Sequence, residues 1–265
     1  MQAAAGPALR CRPLAAVADH VFTTRAWRLG SSTSATREHG WAEVAASLRV
    51  ERRGLARVHQ VHGATVIVPR PGVDTAGCDA DILVTDDADF AVAVQAADCV
   101  PLLVADRRTG VVAAAHAGWR GLAARVPQAT VRALMQRFDS RLADLVAAIG
   151  PSIGACCYEV GADVRDAFVG GAFSAHELTR WFYSDPQPTA TNPSLPTLSK
   201  LRRSDHWFFD AWAAARQQLE SIGMMPEAVH VAALCTASHP DLLCSYRRDG
   251  KAAGRMAAAI RPTVI

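Results

Sequence analysis

The sequence predicts one α/β domain built on a mixed β-sheet with helices layered against it. Phe90 to Ala96, Pro101 to Ala105 and Val111 to Ala115 are near-continuous apolar runs rich in Val and Ala. They show no helical period and read as strands buried on both faces. Segments of helical period stand among such runs irregularly, which points to a mixed rather than an all-parallel sheet. Neither an internal repeat nor a linker divides the 265 residues, a length that supports one large core.

In chain order, residues 1–20 read as a peripheral N-terminal segment, and 21–265 as the domain. Gly30 to Thr36 is polar, and a helix is expected from Trp41 to Leu48. Val58 to Val61 and Ala64 to Val68 read as strand, ended by Pro69-Arg70-Pro71-Gly72. Asp79 to Thr85 is a short strand, and Arg107-Arg108-Thr109-Gly110 turns a hairpin. One helix is expected over Gly121 to Phe138, on apolar Leu122, Val126, Val131, Leu134 and Met135. Leu145 to Ile149 is a further buried strand, followed by the tight loop Gly150-Pro151-Ser152-Ile153-Gly154 and a helix over Gly161 to Phe168. Residues 171–206 are polar and Pro-rich and read as a surface excursion, with a helical turn at Ala175 to Trp181. Asp210 to Ile222 is amphipathic, and Ala228 to Leu234 closes the series as a strand.

Composition excludes several classes. Lys and Arg number 28 against 25 Asp and Glu, a net charge of +3, too weak to imply a nucleic-acid partner. No apolar run is long enough to cross a bilayer, and Met1 to Pro13 lacks the pattern of a secretory signal. Seven cysteines, an odd number, fit a reducing compartment, and the cytoplasm is the expected location.

Three short segments each set one soft metal ligand beside a residue that bends the backbone. They are His62 before Gly63, Cys99 in Ala97-Asp98-Cys99-Val100-Pro101, and His116 in His116-Ala117-Gly118-Trp119-Arg120-Gly121. Two imidazoles and a thiolate suit zinc, and three protein ligands leave a fourth position open, as in catalytic zinc sites. All three lie at strand ends, where α/β folds place their sites. The alternative is that the histidines are ordinary loop residues and Cys99 a small buried hydrophobe. His59 rivals His62 but faces the other side of a strand. Asp98 either orients a ligand or stays solvated. The 150–154 loop either offers N–H groups to an anion or is a plain turn. Cys156 and Cys157 read as buried and inert. Tyr246, Arg247, Arg248 and Arg255 gather phosphate-binding groups near the C-terminus, or form a solvated turn.

Gln60-Val61-His62-Gly63, Ala97 to Pro101, His116 to Gly121, Ile149 to Val160 and Ser245 to Arg248, in this order, resemble the laccase-domain family. That family is also called polyphenol oxidase or multicopper-oxidase-like, and includes purine nucleoside phosphorylases. The resemblance covers residues 55–260 and implies a single α/β fold of α-β-β-α type, with zinc on His62, Cys99 and His116. It further implies phosphorolysis of adenosine, inosine and methylthioadenosine, and deamination of adenosine. The partners are then purine nucleosides and phosphate. Cys99, His116 and Arg120 stand as catalytic candidates, and Tyr246, Arg247 and Arg248 as substrate-binding candidates. The N-terminal third departs from the family pattern. Arg25 is followed by Ala26-Trp27-Arg28-Leu29-Gly30-Ser31-Ser32 instead of a Gly-Gly pair, and the sole asparagine is Asn192, so the family's Asn-Arg pair is missing.

Two other chemistries compete. Cys99 with His116 as its base would make a cysteine hydrolase or amidase, such as an enzyme that edits peptidoglycan precursors. A copper phenol oxidase is the third reading. Nine histidines without a single His-x-His pair argue against a multicopper centre, although copper would still enter such a site in vitro.

Overall fold

The three central runs form the strands Ala91–Ala96, Val100–Asp106 and Val112–Ala117. They are apolar on both faces because the two sheets that hold them are each covered on both sides. The structure, a computed structural model, describes residues 6–30, 33–192 and 203–263. The chain is a single-domain α/β fold with mixed sheets and, among the described residues, eight α-helices.

A six-stranded sheet runs in the order Val229–Val231, Leu145–Ile149, Val100–Asp106, Val112–Ala117, Ile82–Thr85, Val66–Ile67. Its two outer pairs are parallel and its inner pairs antiparallel. A five-stranded sheet runs Ala8–Leu9, Ala18–Thr23, Met256–Pro262, Ala91–Ala96, Leu55–Ala56. Alternation along each strand sorts the side chains into layers. Leu83, Leu103, Ala114 and Val146 of one sheet meet Phe22, Val92, Val94, Ala258 and Ile260 of the other. The residues between them point outward. Ile82, Leu102, Val104, Ala113 and Ala115 pack with Val131, Leu134, Val164 and Leu219, from the helices Val126–Phe138, Ala162–Gly170 and Ala211–Ser221. Ala91, Ala93, Ala257 and Ala259 pack with Trp41, Val44 and Ala45 of the helix Ser34–Ser47. This is the layering expected of an α-β-β-α fold.

Several details differ from the sequence reading; the helix expected from Trp41 to Leu48, for one, spans Ser34–Ser47. Residues 8–20 are built into the domain rather than peripheral, because Leu14 and Ala18 are buried between the sheets and Ala18–Thr23 pairs with Met256–Pro262. The helix expected over Gly121 to Phe138 is two helices, Trp119–Ala123 and Val126–Phe138. Pro127 has no N–H for an interior turn, so the first helix stops and the second restarts after Arg125, which takes a left-handed φ of 62°. Val58 to Val61 makes a single bridge, His59 to Asp79, instead of a strand.

The described part of 171–206 is anchored rather than superficial. Ser174 and Glu177 form a capping box on the helix Ala175–Trp181. Phe173, Trp181 and Phe182 are buried against Phe168 and Phe209. Residues 193–202 of that stretch lie outside the described residues. No helix among the described residues is long and apolar enough to cross a membrane.

Candidate functional site

Strand register assembles the site at one end of the six-stranded sheet. Ile82 pairs with Ala115 and Pro101 with His116. One rung further, Asp81 faces His116, and the His116 N–H donates to the Asp81 carbonyl at 2.8 Å. The side chains meet as well, with His116 Nδ1 2.7 Å from Asp81 Oδ1. A proton on Nδ1 leaves Nε2 of His116 as the free donor atom.

Asp81 also places His62. Its buried carboxylate accepts the backbone N–H groups of Val61, His62 and Gly63 at 3.2, 3.1 and 2.7 Å. These bonds hold a tight turn in which His62 adopts a left-handed φ of 61°. His62 then lies edge-on to His116, with ring centroids 4.8 Å apart. Cys99 enters from the bend between Ala91–Ala96 and Val100–Asp106, where Asp98 takes a φ of 91°. Cys99 Sγ is 3.9 Å from His62 Nε2. The donor atoms of His62, Cys99 and His116 all lie within 4.8 Å of one another.

Gly118 shapes this cradle. A Cβ there would sit 2.8 Å from His62 Cδ2 and 2.9 Å from Cys99 Sγ, so any side chain would invade the space between the donors.

Burial alone would push the Cys99 thiol up. Hydrogen bonds and charge from His116 and His62 outweigh it and bring the thiol down to about 6. Burial would lower His116, but Asp81 and then Cys99 raise it to about 9. For Asp81 too, burial opposes the charge, and the bonds from His116, Gly63 and Val61 hold the carboxyl below its ordinary range. A thiolate beside two histidine rings, with room between them, is a donor set for a borderline-soft divalent ion, which would displace the second ring proton of His116 on binding. The residues therefore fit a zinc-type ion.

The remaining sequence candidates divide. Arg247 is exposed and lies over the Tyr158 ring at 5.3 Å. Its backbone N–H donates to Asp98 Oδ2 at 2.6 Å and one guanidinium N–H to the Glu159 carbonyl. Arg120 is exposed and stacks on Trp119 at 4.1 Å. Tyr246 is exposed on the surface. Arg248 is not a free phosphate ligand. Its guanidinium donates to Asp249 and to the carbonyls of Thr236, Ala237 and Leu243, so it holds the 236–249 loop together. Arg255 bonds the carbonyls of Ala253 and Gly254.

His59 is exposed, pairs with Asp79 at 2.7 Å and stays outside the ligand group. Asp98 is held by partners of its own: it accepts from Thr236 Oγ1 and the Arg247 N–H and so ties two loops beside Cys99. The 150–154 loop is a plain turn. Its N–H groups donate to the carbonyls of Pro101, Leu234 and Asp98 and to Cys235 Sγ. Gly150 and Gly154 instead make room for the rings of Phe22 and Trp212. Asn192 is buried, with its amide donating to the Ala233 carbonyl.

Two residues escaped the sequence reading. Asp81 carries a signal that was available, an acid immediately before the buried apolar strand Ile82–Thr85. Tyr158 carries none by itself. Burial, with the Cys99 charge added, pushes its hydroxyl up, so it stays protonated at neutral pH.

Residues 30–263 match the sequence model of a family described as multi-copper polyphenol oxidoreductase laccase. A protein of Deinococcus radiodurans named purine nucleoside phosphorylase is 33% identical over 267 residues, covering 96% of this chain and 92% of that one. One of the same name from Bacteroides thetaiotaomicron is 33% identical over 180 residues, and the match spans 68% of this chain but only 60% of that longer protein. The crystal structure of YlmD from Geobacillus stearothermophilus superposes with a TM-score of 0.78 at 27% identity, over 99% of this chain and 98% of that one.

Proposed function

The chain belongs to the multi-copper polyphenol oxidoreductase laccase family, and we propose that it is a zinc-dependent purine nucleoside phosphorylase acting on adenosine and inosine. The observation that carries this reading is the convergence of His62, Cys99 and His116 around the space left by Gly118. The phosphorylase names of the relatives support the reaction class. When bound, the ion supplies a Lewis acid that polarises a substrate oxygen or nitrogen.

The chain's own residues do the rest. In phosphorolysis a phosphate oxygen bonds to C1′ of the ribose, and the glycosidic electron pair leaves with the purine, which takes up a proton. Arg247 and Arg120 are exposed cations, each stacked on an aromatic ring. In this reading they hold the phosphate, since a guanidinium fork matches its oxygens. The protonated Tyr158 beside Arg247 serves as a hydrogen-bond donor within the same wall. Asp81 keeps the Nδ1 proton of His116 in place, so Nε2 remains a ligand. Methylthioadenosine phosphorolysis and adenosine deamination are proposed for the same site.

The test uses purified protein of known metal content. Release of adenine and hypoxanthine should require phosphate and bound zinc, and should vanish on chelation and in His62→Ala. Full activity in metal-free protein refutes the proposal.

A second reading has its own observation. Cys99, His116 and Asp81 form a thiolate–imidazole–carboxylate chain of the kind cysteine hydrolases use. Iodoacetamide separates the two. Alkylation of Cys99 at the same rate with and without zinc favours the hydrolase, and protection by zinc favours the metal site.

A further inference from the structure

Cys156, Cys157 and Cys235 bring three thiols together, with every pair of sulfurs within 4.8 Å. All three are buried, none more than 2% exposed. The N–H groups of Cys157 and Tyr158 both donate to the Gly154 carbonyl, at 2.9 and 3.0 Å. That tight turn directs two adjacent side chains to one point, where an extended segment would send them apart. Cys235 arrives from a different loop. It bridges to Ser152, and its sulfur accepts the Gly154 N–H at 3.3 Å. The Ser238 hydroxyl lies 3.6 Å from Cys156 Sγ and 3.3 Å from Cys157 Sγ.

We propose that Cys156, Cys157 and Cys235 form a second metal site, selective for Cu(I) and separate from the His62–Cys99–His116 group. A packed apolar corner requires only volume, which alanine or valine supplies; three converging sulfurs are a chelate. Zinc in closed protein sites takes four donors. Among the described residues no imidazole, carboxylate or further thiol joins these three. Three sulfurs without a fourth nitrogen or carboxylate suit the soft, monovalent ion. Binding replaces thiol protons, which pass to solvent, and transfers no electron.

The ion would join the 153–158 turn to the 235–238 loop. Thr236 of that loop bonds Asp98, the neighbour of Cys99. The second site would therefore brace one wall of the first.

The test titrates reduced, zinc-loaded full-length protein with Cu(I) under anaerobic conditions against bicinchoninate. The expected result is one Cu(I) per chain with the zinc retained, and copper X-ray absorption showing sulfur alone as nearest neighbours. Cys235→Ser should lose this Cu(I), and His62→Ala should keep it. Three results overturn the proposal: no Cu(I) held against the chelator, zinc displaced with nitrogen next to copper, or unchanged binding in a folded Cys235→Ser. Should that variant fail to fold, the absorption spectrum of the unmodified protein decides alone.

Discussion

Replacing Asp81 by asparagine tests how the ligand group is held. The carboxylate divides its four bonds evenly: Oδ1 accepts from the His62 N–H and His116 Nδ1, and Oδ2 from the Val61 and Gly63 N–H groups. A carboxamide has one oxygen, so two of the four donors lose their acceptor and face an NH2 group instead. At about 1.5–3 kcal/mol for a bond to a charged group, the local cost reaches about 3–6 kcal/mol before relaxation. Part of that falls equally on metal-free and metal-bound protein and cancels. The part that does not cancel is the His116 tautomer and the His62 turn. Loss of such a supporting carboxylate lowers metal affinity about 10–100-fold, or about 1.4–2.7 kcal/mol.

The assay is competitive zinc titration against a chromophoric chelator, with thermal unfolding of both forms alongside. Asp79→Asn is the control, since the exposed Asp79 pairs with the exposed His59 outside the ligand group. Zinc affinity for Asp81→Asn within twofold of the parent would refute the claim that Asp81 organises the ligands.

Gly118→Ala should keep the fold but hold less zinc, because the new Cβ meets His62 and Cys99 at under 3 Å; metal content after dialysis measures this. Arg248→Ala should destabilise the protein by at least about 2 kcal/mol in urea unfolding, since several buried carbonyls and Asp249 lose a charged partner. Arg247→Ala should leave unfolding within about 1 kcal/mol and raise the KM for phosphate. His20 is fully buried, its Nε2 accepting the Cys11 N–H, and burial holds it below its ordinary 6.5. As pH falls through 6.5 the unfolded chain gains a proton that the folded chain refuses, so stability is intact above that value and lost below it. His20→Gln should flatten this decline in unfolding free energy measured between neutral and mildly acid pH.

The layered fold was legible because strands buried on both faces leave unbroken runs of Val and Ala, as Val111 to Ala115 does. The break at Arg125 was legible in principle, from Pro127. The anchoring of Phe173, Trp181 and Phe182 was not, because isolated aromatics in a polar stretch show no period, and only their partners Phe168 and Phe209 reveal the core they join. The three candidate ligands could be named from residue type and bending neighbours, whereas their convergence depends on register between strands distant in sequence. Cys235 was hidden for the same reason, since it meets Cys156 and Cys157 only across the fold; at Asp81 the acid ahead of an apolar run was visible, but its partners were not. Arg247 and Arg248 look alike in the sequence, and only packing separates the exposed cation from the one that ties a loop.

The most direct test of the phosphorylase account is phosphorus NMR of inosine with phosphate and zinc-loaded protein. The account predicts ribose 1-phosphate appearing in equal amount with hypoxanthine, and neither product with His62→Ala. Hypoxanthine released without ribose 1-phosphate, or both products formed undiminished by His62→Ala, would contradict it.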